Sequence, residues 1–81
     1  MAGTAGSSLT AELNRLAGTT GKAAQGAANV YAGTSGLGLI GALNKKADAN
    51  RQPSAYKGLN AICNELASTT GKSASDALRT I

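Results

Sequence analysis

Apolar residues recur along the chain in short sets spaced three or four apart. The sets are Leu9, Leu13 and Leu16; Ala24, Ala28 and Tyr31; Leu39 and Leu43; Leu59, Cys63 and Leu66; and Ala74, Leu78 and Ile81. Steps of four and then three keep side chains on one face of an α-helix. The third set breaks at Lys46 but adds Leu37 and Ile40. Between the sets lie short polar stretches rich in glycine and threonine. Gly18 and Gly33 stand where a helix closes on a left-handed residue, a conformation glycine adopts at little cost. Thr19 or Thr20, Thr34 or Ser35, and Thr69 or Thr70 are placed to accept hydrogen bonds from the free amides of the next helix, as N-caps do. The pattern predicts helices near 8–17, 21–32, 36–47, 54–67 and 72–80.

The stretches between helices are copies of one motif. Ala17-Gly18-Thr19-Thr20-Gly21 recurs as Ala32-Gly33-Thr34-Ser35-Gly36 and as Ala67-Ser68-Thr69-Thr70-Gly71, and Ala2-Gly3-Thr4-Ala5-Gly6 keeps the same register. Asn14, Asn29, Asn44 and Asn64 follow that register, with five extra residues before the last. The insertion lies in Asp48-Ala49-Asn50-Arg51-Gln52-Pro53-Ser54, where the motif has decayed. A fifteen-residue unit of one helix and one turn, present in five copies, accounts for the whole chain. The expected fold is therefore all-α: a compact array of five short helices built from a 15-residue repeat. It forms one small domain, 1–81, with helices one to three in 1–47, an extended loop at 48–54, and helices four and five in 55–81. Helices this short need packing to persist. Ala27, Ala42 and Ala77, with Gly26 and Gly41 beside them, would let neighbours approach closely.

Composition limits what such a chain can do. Its 81 residues include no Phe or Trp and only 13 Leu, Ile and Val. That share, about 16%, is below the roughly 20% at which disorder becomes an option. A chain of this size also buries only about 60% of the surface its unfolded form exposes. The isolated chain is expected to be marginally folded and to gain stability from assembly, on a core of Leu9, Leu13, Leu16, Leu39, Leu43, Leu59, Leu66, Leu78 and Ile81. The run from Val30 to Leu43 is too short and too rich in Gly and Ser to span a bilayer. Met1 to Ser8 has neither the basic start nor the apolar core of a secretory signal.

The chemistry-bearing residues are few. Histidine is absent, which removes His-based triads and His-liganded metals. The single Cys63 reads as a small buried apolar residue. Thr69-Thr70-Gly71-Lys72-Ser73 ends like a P-loop, but Leu66 stands where the first glycine is required and no strand precedes it. It reads as a helix cap. No catalytic constellation, cofactor site or metal site is expected, and the protein is not expected to be an enzyme.

The net charge is +4, enough to favour an acidic partner surface without indicating nucleic acid. Lys45, Lys46, Arg51 and Lys57 concentrate half of the positive charge around the long loop. With Tyr56, at the start of helix four, they are the candidate protein-contact residues. Tyr31 falls on the core register. Asn14, Asn29, Asn44 and Asn64 are candidates for fixing repeat stacking through hydrogen bonds to the backbone of a neighbouring turn.

These motifs carry a resemblance. Leu13-Asn14-Arg15-Leu16-Ala17-Gly18-Thr19-Thr20-Gly21, Gln25-Gly26-Ala27-Ala28-Asn29, Ala32-Gly33-Thr34-Ser35-Gly36-Leu37 and Gly41-Ala42-Leu43-Asn44 resemble the AGTTG repeats of small virion proteins, capsid- or tail-associated, of tailed bacteriophages of actinobacterial hosts. The likeness covers nearly the whole chain and is weakest from Ala47 to Gly58. It implies a non-enzymatic structural protein of the virion, assembled in the host cytoplasm. Such an accessory protein would dock in multiple copies on the major capsid or tail protein, and on its own copies, with no membrane and no nucleic acid as partner. The rival reading is a module for host-surface glycan displayed on the virion. Only Tyr31 and Tyr56 could offer the exposed aromatics such a site uses.

Overall fold

A computed structural model describes residues 8–81; the Ala2–Gly6 copy of the motif and most of the Met1–Ser8 stretch lie outside the described residues. The described residues form five α-helices: α1 (Leu9–Ala17), α2 (Ala24–Ala32), α3 (Leu39–Ala47), α4 (Leu59–Ala67) and α5 (Ala74–Arg79). A single 3-10 turn, Pro53–Ala55, interrupts the connection between α3 and α4. The architecture is all-α, and the described residues include no strand.

The expected helix ends agree closely with the structure, but α2 to α5 begin two to five residues later than expected. The turns explain the difference. Gly18 and Gly33 close α1 and α2 at φ of 72° and 73°. Their amides donate to Arg15 and Val30, and the next amides, of Thr19 and Thr34, reach back to Asn14 and Asn29. This is the double closure that a left-handed residue permits at a helix C-terminus. Ser68 closes α4 in the same way at φ 59°. A second left-handed glycine follows at Gly21, Gly36 and Gly71. Two residues then lead to the next helix, the second of them extended at Ala23, Gly38 and Ser73.

The threonine N-caps expected from the sequence do not form. The residues before α2 to α5 are Ala23, Gly38, Gly58 and Ser73, none with a side-chain cap bond. Only Ser8 caps its helix, accepting from the Ala11 amide at 3.2 Å. At the start of α5 a residue of the preceding helix substitutes: the Ala74 amide donates to Asn60 Oδ1 at 2.9 Å.

Each helix turns one narrow stripe inward. Leu13, Ala28, Leu43, Cys63 and Leu78 are fully buried, and beside them lie the equally buried Ala27, Ala42, Ile62 and Ala77. Leu9, Leu16, Leu39, Leu59 and Leu66 pack on this core only in part. Ile81, expected in the core, is 43% exposed, because α5 ends at Arg79 and leaves it beyond the helix. Ile62 takes a full place in the core that the four-and-three spacing did not assign.

Consecutive helices pack on one another, and α1 also packs on α5. Packing across the long connection is between α3 and α4. The closing seam is polar. Arg15 Nη2 donates to the Leu78 carbonyl at 2.8 Å, and Arg15 Nε meets Glu12 at 2.9 Å. Glu12 is 5% exposed and stands one residue before the fully buried Leu13. Arg79 approaches its other oxygen at 3.7 Å. A buried carboxylate is tolerated only with such partners. None of the described helices is long and apolar enough to cross a membrane.

Candidate functional site

The buried asparagines build the turns. Asn14 Nδ2 donates to the Thr10 and Lys22 carbonyls, both at 2.9 Å, and its Oδ1 accepts from Thr19 Oγ1 at 2.8 Å and from the Lys22 amide at 3.1 Å. Two donors and two acceptor positions exhaust what the side chain can do. Asn29 makes the same four bonds with Gln25, Thr34 and both backbone groups of Leu37. Asn64 makes them with Asn60, Thr69 and both backbone groups of Lys72. Each asparagine thus ties its own helix to the residue that leads into the next one. The threonine hydroxyls placed as N-caps in the sequence reading donate to these amides instead.

Asn44 holds the longer loop by the same means. Its Nδ2 donates to Ile40 and Lys57 carbonyls, and its Oδ1 accepts from the Lys57 amide at 2.9 Å and from Arg51 Nη1 at 3.1 Å. Arg51 also reaches Glu65 on α4 at 2.9 Å, and Lys57 Nζ meets the same carboxylate at 2.9 Å. The Lys57 and Arg51 hydrogen bonds hold the Glu65 carboxyl below the usual carboxylate range. Lys45 Nζ donates to the Ala49 and Arg51 carbonyls at 3.2 and 2.7 Å. Lys46 lies over the Tyr31 ring, 4.7 Å from its centre. Burial pushes the Tyr31 phenol up, with Cys63 adding to the shift.

The basic residues expected to contact a partner are thus largely spent on the fold. The insertion brings charge where the other turns have a hydroxyl, and that charge closes the loop. Tyr56 is not the exposed residue at the start of α4 that the sequence suggested. It follows the 3-10 turn, is half-buried, and its Cε2 lies 3.5 Å from where a Cβ on Gly41 would sit.

The open concave surface lies elsewhere, in two clefts. One, of about 500 Å³, is lined by Thr10, Ala11, Asn14, Thr20, Gly21 and Lys22. The other, of about 570 Å³, is lined by Asn60, Ala61, Asn64, Thr70, Gly71 and Lys72. The residues of each stand at the same offsets from its clamping asparagine. The two clefts differ at two equivalent wall positions, Thr10 against Asn60 and Arg15 against Glu65, and Ser8 lines only the first and Lys57 only the second. Lys57 lies beside Glu65 and meets its charge. Among the described residues no carboxylate pairs with Lys22 or Lys72, so both clefts carry an unpaired cation at the rim. The clefts escaped the sequence reading, although the shared Thr-Thr-Gly-Lys stretch at 19–22 and 69–72 was their signal.

Cys63 is fully buried, and burial pushes its thiol up to about 11. Such a thiol stays protonated and away from reagents. Among the described residues no three His, Cys, Asp or Glu side chains gather as a metal would need. No protein-family model, curated protein or solved structure matches the chain.

Proposed function

We propose that the chain is a small non-enzymatic structural protein of a bacteriophage virion, docked in multiple copies on the capsid or the tail. Its partners are the major capsid or tail protein and its own copies, and it is built into the particle in the host cytoplasm. The AGTTG repeats and their likeness to those of small virion proteins suggest the setting. The observation that carries a docking role is the pair of clefts on α1 and α4. One 81-residue chain offers two clefts of similar lining, which suits a shell or tube that repeats one surface many times. Docking also suits the fold's energetics, since a core in which half of the buried apolar residues are Ala gains directly from any partner that binds only the folded form.

The loop residues Lys45, Arg51, Tyr56 and Lys57 hold the molecule together, so the docking role passes to the clefts. A glycan-binding module is supported less well. Sugar rings stack on open aromatic faces, whereas Tyr31 lies under Lys46 and Tyr56 lies against Gly41. The test is sedimentation of the purified chain with empty capsids and with isolated tails. Co-sedimentation with one of them, saturating at a fixed ratio to the major protein, is the expected result. A chain that stays in the supernatant of both overturns the reading.

A further inference from the structure

On α3 the residue equivalent to Ala11 and Ala61 is Gly41, and there the chain sets an aromatic side chain of its own, Tyr56. Ala11 stands three residues before Asn14, Ala61 three before Asn64, and Gly41 three before Asn44. Gly21 and Gly71 precede the clamped Lys22 and Lys72, whereas Tyr56 precedes the clamped Lys57. The longer α3–α4 connection has thus replaced a turn glycine by a tyrosine. Tyr56 has an ordinary negative φ of −64°, and its ring carbon Cε2 lies against Gly41. A methyl added at Gly41 would meet that ring at 3.5 Å, an ordinary van der Waals distance. An alanine floor therefore accepts an aromatic ring in the same position, and alanine is what Ala11 and Ala61 supply.

We propose that the clefts on α1 and α4 are sockets for an aromatic side chain of a partner protein, carried next to a carboxylate. The aromatic part follows from Tyr56 on Gly41, the occupant that the chain provides at its own third position. The carboxylate follows from the rims, where Lys22 at one cleft and Lys72 at the other have no carboxylate partner among the described residues. Complementary charge at a rim sets orientation and partner choice, while a buried aromatic anchor supplies most of the affinity. The occupant comes from a different protein. The chain's only aromatics, Tyr31 and Tyr56, are both engaged within their own fold. This inference rests on the docking role proposed above, not on the virion as the place of docking.

The test uses the full chain and 4-hydroxyphenylacetate, which joins a tyrosine ring to a carboxylate. Amide NMR signals of Gly21, Lys22, Gly71 and Lys72 are expected to shift on titration. Ala11→Leu should abolish the first pair of shifts and leave the second; Ala61→Leu should do the reverse. Both alanines are exposed, so these variants keep the fold. Tyr56→Ala should add a third responsive set around Gly41. Acetate alone, or 4-methylphenol alone, should bind at least about tenfold more weakly than the joined probe. Shifts that survive both leucine substitutions overturn the proposal, as does an equal response to acetate alone. Self-association that Ala11→Leu or Ala61→Leu abolishes would assign the sockets to a second copy and overturn it too. If the chain sediments with capsids or tails and the double leucine variant does so equally well, the virion reading stands and the sockets fall.

Discussion

Arg51 does at Asn44 what a threonine hydroxyl does at Asn14, Asn29 and Asn64. Its Nη1 donates to the amide oxygen at 3.1 Å, and its Nη2 continues to Glu65 on the next helix. The insertion between α3 and α4 therefore keeps the asparagine clamp and adds a link between helices. Arg51→Ala should destabilise the fold by about 1.5–3 kcal/mol, the range for a hydrogen bond to a charged group. A double-mutant cycle with Glu65→Gln isolates the pair. The carboxyl of Glu65 is held low, first by Lys57 and then by Arg51. Its contribution is thus present above the ordinary carboxylate pKa and is lost as pH falls through the lowered one. Acid melts of the wild type should show that loss, and Glu65→Gln should lack it.

Replacing a clamping asparagine should cost more than an average surface change. Asn14→Ala or Asn64→Ala removes the side-chain bonds to two carbonyls, one amide and one hydroxyl. Water can rescue some of them, so about 2–4 kcal/mol is expected rather than the full sum. Asn→Asp should be no milder, since it sets a carboxylate oxygen against carbonyls that now accept from Nδ2. Urea melts of the four variants check this, and a cost below about 0.5 kcal/mol, the level of ordinary surface substitutions, would deny the clamp its role.

Ser68 occupies a left-handed position, φ 59°, that Gly18 and Gly33 fill in the other turns. Ser68→Gly should raise stability by about 0.5–1 kcal/mol, since relief of strain exceeds the extra entropy of the unfolded glycine. Gly18→Ala should lower it by about 1 kcal/mol for the converse reason. Thermal melting of both variants decides it.

The core predicts a contrast between residues of similar character. Leu13 and Ile62 are fully buried, and Ile81 is 43% exposed. Leu13→Ala or Ile62→Ala should cost about 2–5 kcal/mol, enough to unfold a small domain in isolation. Ile81→Ala should change stability by less than about 0.5 kcal/mol. Circular dichroism of the purified variants separates these outcomes.

Cys63 gives the alkaline side of the stability profile. Its thiol is pushed up to about 11 from an ordinary value of 9.0. The folded state keeps it neutral where the unfolded state ionises it. Its contribution is therefore complete below the unfolded value and fades between the two, by up to about 1.4 kcal/mol per pH unit. Cys63→Ala, compared with the wild type across that window, should show a flatter decline. Thiol reagents should modify native protein far more slowly than urea-unfolded protein.

The linear sequence already contained the helices. Steps of four and three placed Leu13, Ala28, Leu43, Cys63 and Leu78 on the inner stripe, and the glycines at 18 and 33 marked where α1 and α2 close. These are local matters: periodicity and backbone sterics act within one turn of chain. The asparagine register was also visible, but its four-fold bonding was not. The partners of Asn14, Asn29 and Asn64 become partners only once two left-handed residues bring the chain back onto its own helix. The same folding-back turned the threonines from caps into donors and moved the helix starts downstream. Long-range packing decided the rest. It drew Arg51, Lys45 and Lys57 into closing a loop, laid Tyr56 on Gly41, sealed α1 to α5 through Glu12 and Arg15, and left the clefts at Ala11 and Ala61 open. A side chain's charge or ring can be read from the sequence, but the group that will satisfy it is known only when distant segments meet.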